Sequence, residues 1–224
     1  MSATPYLPAG TVYGTLLNFP REWDAWEGPM EAPPYKAAPL APVLYIKTAN
    51  TWSTSGADIA LPGHVPQVEI GATIALVFGE NVPPRIETPV WNAMNYVAHW
   101  VLLNDLSVPH ASFFRPPVKF KCLDGFLGIG QPRARQPGDD PSQFRVEVRV
   151  NKQRVQTLDF SQLRRAADQL VADVREFQAL EAGDVLMLGC DVCPDGKRPL
   201  AHVGDVIEIS APGFVPLTNS LVAA

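Results

Sequence analysis

The chain has 224 residues with 46% hydrophobic content, which suits a single domain over 1–224 with a substantial core. Mean hydropathy is +0.01, and no apolar run approaches the roughly 20 residues a membrane span needs, which excludes a transmembrane helix. A formal net charge of −5 with no basic cluster argues against nucleic acid as a partner. The start, Met1-Ser2-Ala3-Thr4-Pro5, lacks the basic and apolar regions of a secretory leader, so a cytoplasmic location with reduced thiols is expected.

Residues 1–12 form a polar, proline-containing lead, and 13–64 alternate short strands with proline loops. The 23 prolines, about twice the usual share, suit short strands and fixed crossings rather than long helices. Residues 68–79 read as a buried strand ending in a glycine turn. Thr88 caps a helix with Pro89 at its first position and Val90, Ala93, Met94, Val97 and Ala98 at helical spacing. That helix runs into the apolar stretch 100–103, which closes on Asn104-Asp105. Residues 132–142 form a surface loop. Residues 144–150 alternate strictly as a half-exposed strand, and Asn151-Lys152 is its hairpin turn. Ser161 caps an amphipathic helix with Leu163, Ala167, Leu170, Val174 and Phe177 on one face.

Several local patterns carry little chemistry. Cys190-Asp191-Val192-Cys193 is a CxxC, but a zinc site needs further ligands, for which Cys122 and His202 are the available extras. A redox CxxC opens a helix, whereas this one precedes the turn Pro194-Asp195-Gly196. The glycines at 125, 128 and 130 lack the strand-to-helix context of a dinucleotide site. His99 reads as a packed histidine. His64 and His110 each neighbour a proline loop and their roles stay open.

The order of three pieces is more specific. The strand through Gly71-Ala72-Thr73, the pair Asn104-Asp105 and the run Lys121-Cys122-Leu123-Asp124 together resemble the fumarylacetoacetate hydrolase family. Members carry Glu-x-Glu on that strand, then Asn-Asp, then Lys-x-x-Asp. The resemblance extends to Gly14–Phe19 as the opening strand, Leu44–Lys47 as a Phe-x-Lys strand, and the two Gly-Asp turns at Gly183-Asp184 and Gly204-Asp205. Glu22 replaces the family's histidine base, and Gly189-Cys190-Asp191 replaces Gly-Thr-Pro. Asp24-Ala25-Trp26, Ser112–Pro116 and Gly213–Asn219 narrow the likeness to the isomerase/decarboxylase branch of 4-hydroxyphenylacetate (homoprotocatechuate) breakdown. Within it, the chain resembles the amino-terminal half of a duplicated polypeptide, the half without Glu-x-Glu.

The resemblance implies an α+β fold, a mixed β-sheet rolled on itself with flanking helices. It implies a subunit of a 5-oxopent-3-ene-1,2,5-tricarboxylate decarboxylase and 2-hydroxyhepta-2,4-diene-1,7-dioate isomerase. Family members hold magnesium or manganese through the two glutamates and the aspartate. Residues two apart on a strand face the same side. Gly71 supplies no side chain there and Thr73 only a neutral hydroxyl, so with Asp105 they form a poor divalent site. The expectation is no metal in this chain, with Gly71, Thr73 and Asp105 vestigial and Mg or Mn in a partner subunit. Glu69 and Glu22 are the residues that could rescue metal binding. Glutamates at 71 and 73 would restore affinity if the backbone at 71 tolerates a side chain.

The catalytic candidates are Lys121, Asp105 and Glu22, with Lys121 orienting a substrate carboxylate or stabilising an enolate. Lys47 and Cys190 are the substrate-binding candidates, and Asp124 fixes a turn before Gly125. The implied partners are a small di- or tricarboxylate substrate and either a second copy or a Glu-x-Glu paralogue. Two alternatives stand beside this: a non-catalytic structural or regulatory pseudoenzyme, and a metal-free enol–keto isomerase using Glu22, Asp105 and Lys121.

Overall fold

A seven-residue strand with every residue buried, Ala72–Phe78, lies at the centre of the molecule. The computed structural model describes residues 5–83, 92–111 and 117–224. In chain order the elements are β1 (Val12–Leu16), α1 (Pro20–Glu31), β2 (Val43–Lys47), β3 (Trp52–Thr54), β4 (Asp58–Leu61), β5 (Val68–Glu69) and β6 (Ala72–Phe78). Then follow β7 (Val97–Asp105), α2 (Val118–Lys121), β8 (Leu127–Ile129), β9 (Arg133–Ala134), β10 (Arg145–Val150) and β11 (Gln153–Asp159). The chain ends with α3 (Ala167–Val174), β12 (Val185–Met187), β13 (Leu200–Ala201), β14 (Val206–Ser210) and β15 (Leu217–Ala223).

Two mixed sheets result. The larger runs β2-β1-β12-β6-β7-β8-β3, with β9 added to β7, and the smaller runs β11-β10-β14-β15-β4. Most pairings are antiparallel; β1–β12, β3–β8 and β15–β4 are parallel. Strand periodicity explains how β6 buries both faces. Ile74, Leu76 and Phe78 join Trp100 and Leu102 of β7 against Val146, Val148, Ile207 and Ile209 of the second sheet. Ala75 and Val77 point the other way, with Val101, Leu103, Val185 and Met187. This is the curled α+β architecture that the resemblance implies.

Local chemistry explains the turns. Asn151 and Lys152 both have positive φ, 50° and 70°, the geometry that matches the twist of the β10–β11 hairpin. Gly183 and Gly204 each take a φ of 93° just before an aspartate that closes the turn. Asp184 accepts from the Thr11 and Glu181 amides at 2.7 and 2.9 Å, and Asp205 from the His202 amide at 2.8 Å.

Four expectations are corrected. No helix runs over 93–98: Ala93–Tyr96 is a 3-10 turn capped by the Asn92 side chain, and β7 begins at Val97. Pairing with β6 overrides the helical spacing, and Thr88–Trp91 lie outside the described residues. The strand expected at 68–79 breaks at Ile70–Gly71, where the Ile70 amide turns to the Pro199 carbonyl at 2.8 Å. Ser161 caps no long helix, because Asp159 accepts from both its amide and its hydroxyl and holds a 3-10 turn over Phe160–Gln162. The helix α3 starts only at Ala167, and Phe177 is left 55% exposed. Finally, α1 occupies a stretch expected to be strand and loop; Pro20 opens it and Glu22 sits in its first turn.

Candidate functional site

Strand parity builds the first half of the site. Tyr45 and Lys47, two apart on β2, both face inward, while Ile46 between them is 52% exposed. Asp105 closes β7, its amide bonded to the Gly71 carbonyl at 2.9 Å. Lys121 closes α2 and is fully buried. The Lys47 ammonium lies 2.9 Å from Asp105 Oδ1 and the Lys121 ammonium 2.7 Å from Oδ2, where the Tyr45 hydroxyl also donates. Lys47 donates further to the carbonyls of Phe126, Leu106 and Lys121. Its donors are thereby used up.

Electrostatics follow from this cage. Burial alone would raise the Asp105 carboxyl, but Lys121 and Lys47 overcome it and hold the group well below the usual carboxylate range. Burial lowers Lys47, with Asp105 opposing. Tyr45 is raised well above its ordinary value by burial and by the Asp105 charge. Asp105 thus stays ionised and Tyr45 stays a donor.

The second half is a buried ion pair. Glu22 Oε2 accepts from the Leu17 amide at 2.6 Å, and Oε1 accepts from Arg198 at 3.0 Å. Both side chains are over nine-tenths buried. Burial raises the Glu22 carboxyl more than Arg198 lowers it. Cys190 is buried between the two halves, and burial pushes its thiol up to about 12.

The donor set does not fit a divalent cation. A Cβ on Gly71 would lie 2.4 Å from the Asp105 carbonyl and 3.2 Å from both Asp105 Cβ and Cys190 Sγ. The backbone there does not tolerate a side chain, so the condition for restoring affinity with glutamates fails. The Thr73 hydroxyl is committed to the Gly189 carbonyl at 2.6 Å. Both Asp105 oxygens face ammonium groups. Among the described residues, no three of His, Cys, Asp and Glu are grouped to hold a metal ion. Neither candidate rescuer changes this: Glu22 is paired with Arg198, and Glu69 lies on β5 beside β13.

Three cavities surround these groups. One of about 270 Å³ is apolar, between α1 and β1–β2, bordered by Leu16, Trp26, Met30, Tyr35 and Val43. One of about 350 Å³ has charged groups on largely apolar walls, bordered by Trp26, Glu69, His110, Lys197 and Arg198. Glu22 borders both. The third, about 630 Å³, opens over Tyr45, Ile46, Val118, Lys121 and Cys122.

The structure therefore joins Asp105, Lys121 and Lys47 directly, and sets Glu22 apart in a separate pair. Asp124 accepts from Asn50 at 2.6 Å in the turn before Gly125, a structural place. Tyr45 and Arg198 were not among the sequence candidates. Tyr45 was legible from its parity with Lys47. Arg198 sits in a connection with no periodic signal.

The chain belongs to the fumarylacetoacetate hydrolase family: residues 11–222 match the family described as Fumarylacetoacetate (FAA) hydrolase C-terminal. It is 34% identical over 213 residues to the 4-hydroxyphenylacetate degradation bifunctional isomerase/decarboxylase of Escherichia coli, across 95% of this chain and 47% of that protein. The chain thus spans about half the length of this and two other curated isomerase/decarboxylase relatives it matches. In fold it is similar to the 5-carboxymethyl-2-hydroxymuconate delta-isomerase of Mycobacterium smegmatis, with TM-score 0.73 and 22% identity over 98% of this chain and 79% of that one. It is likewise similar to the 2-hydroxyhepta-2,4-diene-1,7-dioate isomerase of Mycobacterium marinum, with TM-score 0.73 and 19% identity over 98% and 77% of the two chains. No helix among the described residues is long and apolar enough to cross a membrane.

Proposed function

We propose that this chain is a subunit of an isomerase/decarboxylase of aromatic-acid breakdown, with its own metal site degenerate and the metal chemistry supplied by a Glu-x-Glu paralogue. The observation that carries this is the strand through Gly71 and Thr73: neither supplies a carboxylate, a Cβ at 71 would meet the Asp105 carbonyl at 2.4 Å, and the Thr73 hydroxyl is committed to the Gly189 carbonyl. The 34% identity to an isomerase/decarboxylase supports the substrate class, a small di- or tricarboxylate. Charge supports it too. Buried Lys47, Lys121 and Arg198 face buried Glu22 and Asp105, one positive charge in excess, which an anionic ligand neutralises.

In such a pair, the partner's two glutamates would hold the divalent ion, which would supply Lewis-acid stabilisation of negative charge on the substrate. In this chain Arg198 keeps donors that can orient a carboxylate, and the buried lysines add positive charge. The outer strand β2 and its exposed Ile46, next to exposed Val118, offer an apolar face for the partner or for a second copy. Obligate interfaces of this kind bury on the order of 2,000 Å² or more. A stable monomer in sedimentation at micromolar concentration, with and without the paralogue, overturns the assembly.

The decisive assay follows loss of substrate ultraviolet absorbance for this chain, the paralogue and the mixture. Without its principal charge stabiliser, the chain alone should run at least about 10²-fold below the mixture and ignore EDTA. Full activity of the chain alone, stopped by EDTA, overturns the proposal. A second reading, metal-free enol–keto tautomerisation, is favoured by the raised Glu22 carboxyl, which suits proton transfer. Ketonisation by the chain alone, lost in Glu22→Gln, would support it.

A further inference from the structure

Arg198 lies in the connection between β12 and β13, where its side chain is 7% exposed. A guanidinium carries five donor hydrogens in a planar fork. Among the described residues, Arg198 has one hydrogen-bond acceptor, Glu22 Oε1 at 3.0 Å. Arg133 Nε, by contrast, is sealed in protein without a partner. The spare donors of Arg198 are not sealed in this way, and the residue borders the cavity of about 350 Å³. A buried cation with unused donors at a cavity is an anion receptor.

The cavity's other groups select the anion. Glu22 and Glu69 both border it, so a compact dianion such as phosphate meets two carboxylates. A planar carboxylate carries one charge and matches the guanidinium fork in two parallel hydrogen bonds. Trp26, Pro29 and Val192 give the cavity apolar walls suited to a short carbon chain. Lys197 is exposed at the border and supplies a second cation. His110 adds no fixed charge, because burial lowers its imidazole.

We propose that Arg198 is the receptor for one carboxylate of a short-chain dicarboxylate, whose carbon chain lies against Trp26 and whose second carboxylate meets Lys197. The site deepens the function proposed above by naming the residues that hold the substrate's carboxylates, and it rests on that reading for its biological ligand. Its test needs neither turnover nor the paralogue, so failure of the decarboxylase assay leaves it standing.

The probe is glutarate, titrated into the full chain by calorimetry and by tryptophan fluorescence, with butyrate and inorganic phosphate as comparisons. Glutarate should bind more tightly than either. Arg198→Gln should weaken glutarate at least about ten-fold, and Arg198→Lys should fall between, keeping the charge and losing the fork. Lys197→Ala should weaken glutarate about three-fold and leave butyrate unchanged. Glu22→Gln should tighten glutarate by removing a competing carboxylate. Circular dichroism checks the folding of the buried variants, and the exposed Lys197→Ala decides if Arg198→Gln fails to fold. The assignment is overturned by wild-type affinity in folded Arg198→Gln, by equal butyrate and glutarate binding that Lys197→Ala leaves unmoved, by phosphate binding more tightly than glutarate, or by no glutarate binding at millimolar concentration.

Discussion

Two buried carboxylates a short distance apart in the fold are treated differently. Asp105 is fully buried with two ammonium groups and a phenol at its oxygens, and Lys47 spends its donors on backbone carbonyls. Glu22 shares its pair with a guanidinium that borders a cavity and keeps donors in reserve. A fully buried charge cluster that ties several elements together serves the fold; a pair with spare donors at a cavity can take a ligand. Here the Asp105 cluster joins β2, β7 and α2, while the Glu22–Arg198 pair joins only α1 to the connection between β12 and β13. The difference assigns architecture to the first and recognition to the second.

The largest expected effect breaks the closed cluster. Asp105→Asn leaves two buried ammonium groups without a counter-charge and should cost about 3–5 kcal/mol in urea denaturation. Arg198→Gln should cost less than half as much, because its cavity admits water to the stranded Glu22. Equal losses would erase the distinction. Next comes Gly71→Ala, whose Cβ would meet the Asp105 carbonyl at 2.4 Å. It should cost about 1–3 kcal/mol by overpacking. The double change Gly71→Glu with Thr73→Glu should yield no Mn²⁺ site by calorimetry.

The pH dependence of stability sharpens the same contrast with a smaller effect. The Asp105 carboxyl is held below its unfolded value of about 3.9, so its stabilisation is complete above that pH and is lost as pH falls through the lower folded value. Glu22 is raised, so the folded state binds its proton more tightly, and its contribution improves as pH falls from its folded value toward the unfolded one. Acid-unfolding curves should lose their low-pH slope in Asp105→Asn and keep it in Glu22→Gln. The smallest effect concerns thiol labelling. Cys190, buried between the clusters, should alkylate far more slowly in the native protein than partly exposed Cys122, as read by mass spectrometry.

Much of this arrangement was legible in the sequence because its carriers are local. The alternation of 144–150 with Asn151-Lys152 gave the β10–β11 hairpin, and the Gly-Asp pairs gave the turns before β12 and β14. Asp105, Lys121 and Lys47 were legible through their order along the chain. Arg198 was not, since its role comes from a connection that closes onto Glu22 across 176 positions of sequence. The 3-10 turn at Ala93–Tyr96 was misread because helical spacing and burial in a long strand draw on the same apolar residues. The early end of the α3 pattern was hidden by Asp159, whose side chain competes for the turn that Ser161 was expected to open.

Gly71 has a consequence for the history open to this polypeptide. A route to a metal-binding strand by single replacements begins at a position where any added carbon displaces the Asp105 carbonyl. The next step replaces Thr73, whose hydroxyl is bound to the Gly189 carbonyl at 2.6 Å. The first move crowds the backbone before any ion is held, so the arrangement works as a ratchet. Descendants of this chain can elaborate its arginine and lysines, or lean on another subunit's ion, far more readily than they can grow an ion site of their own.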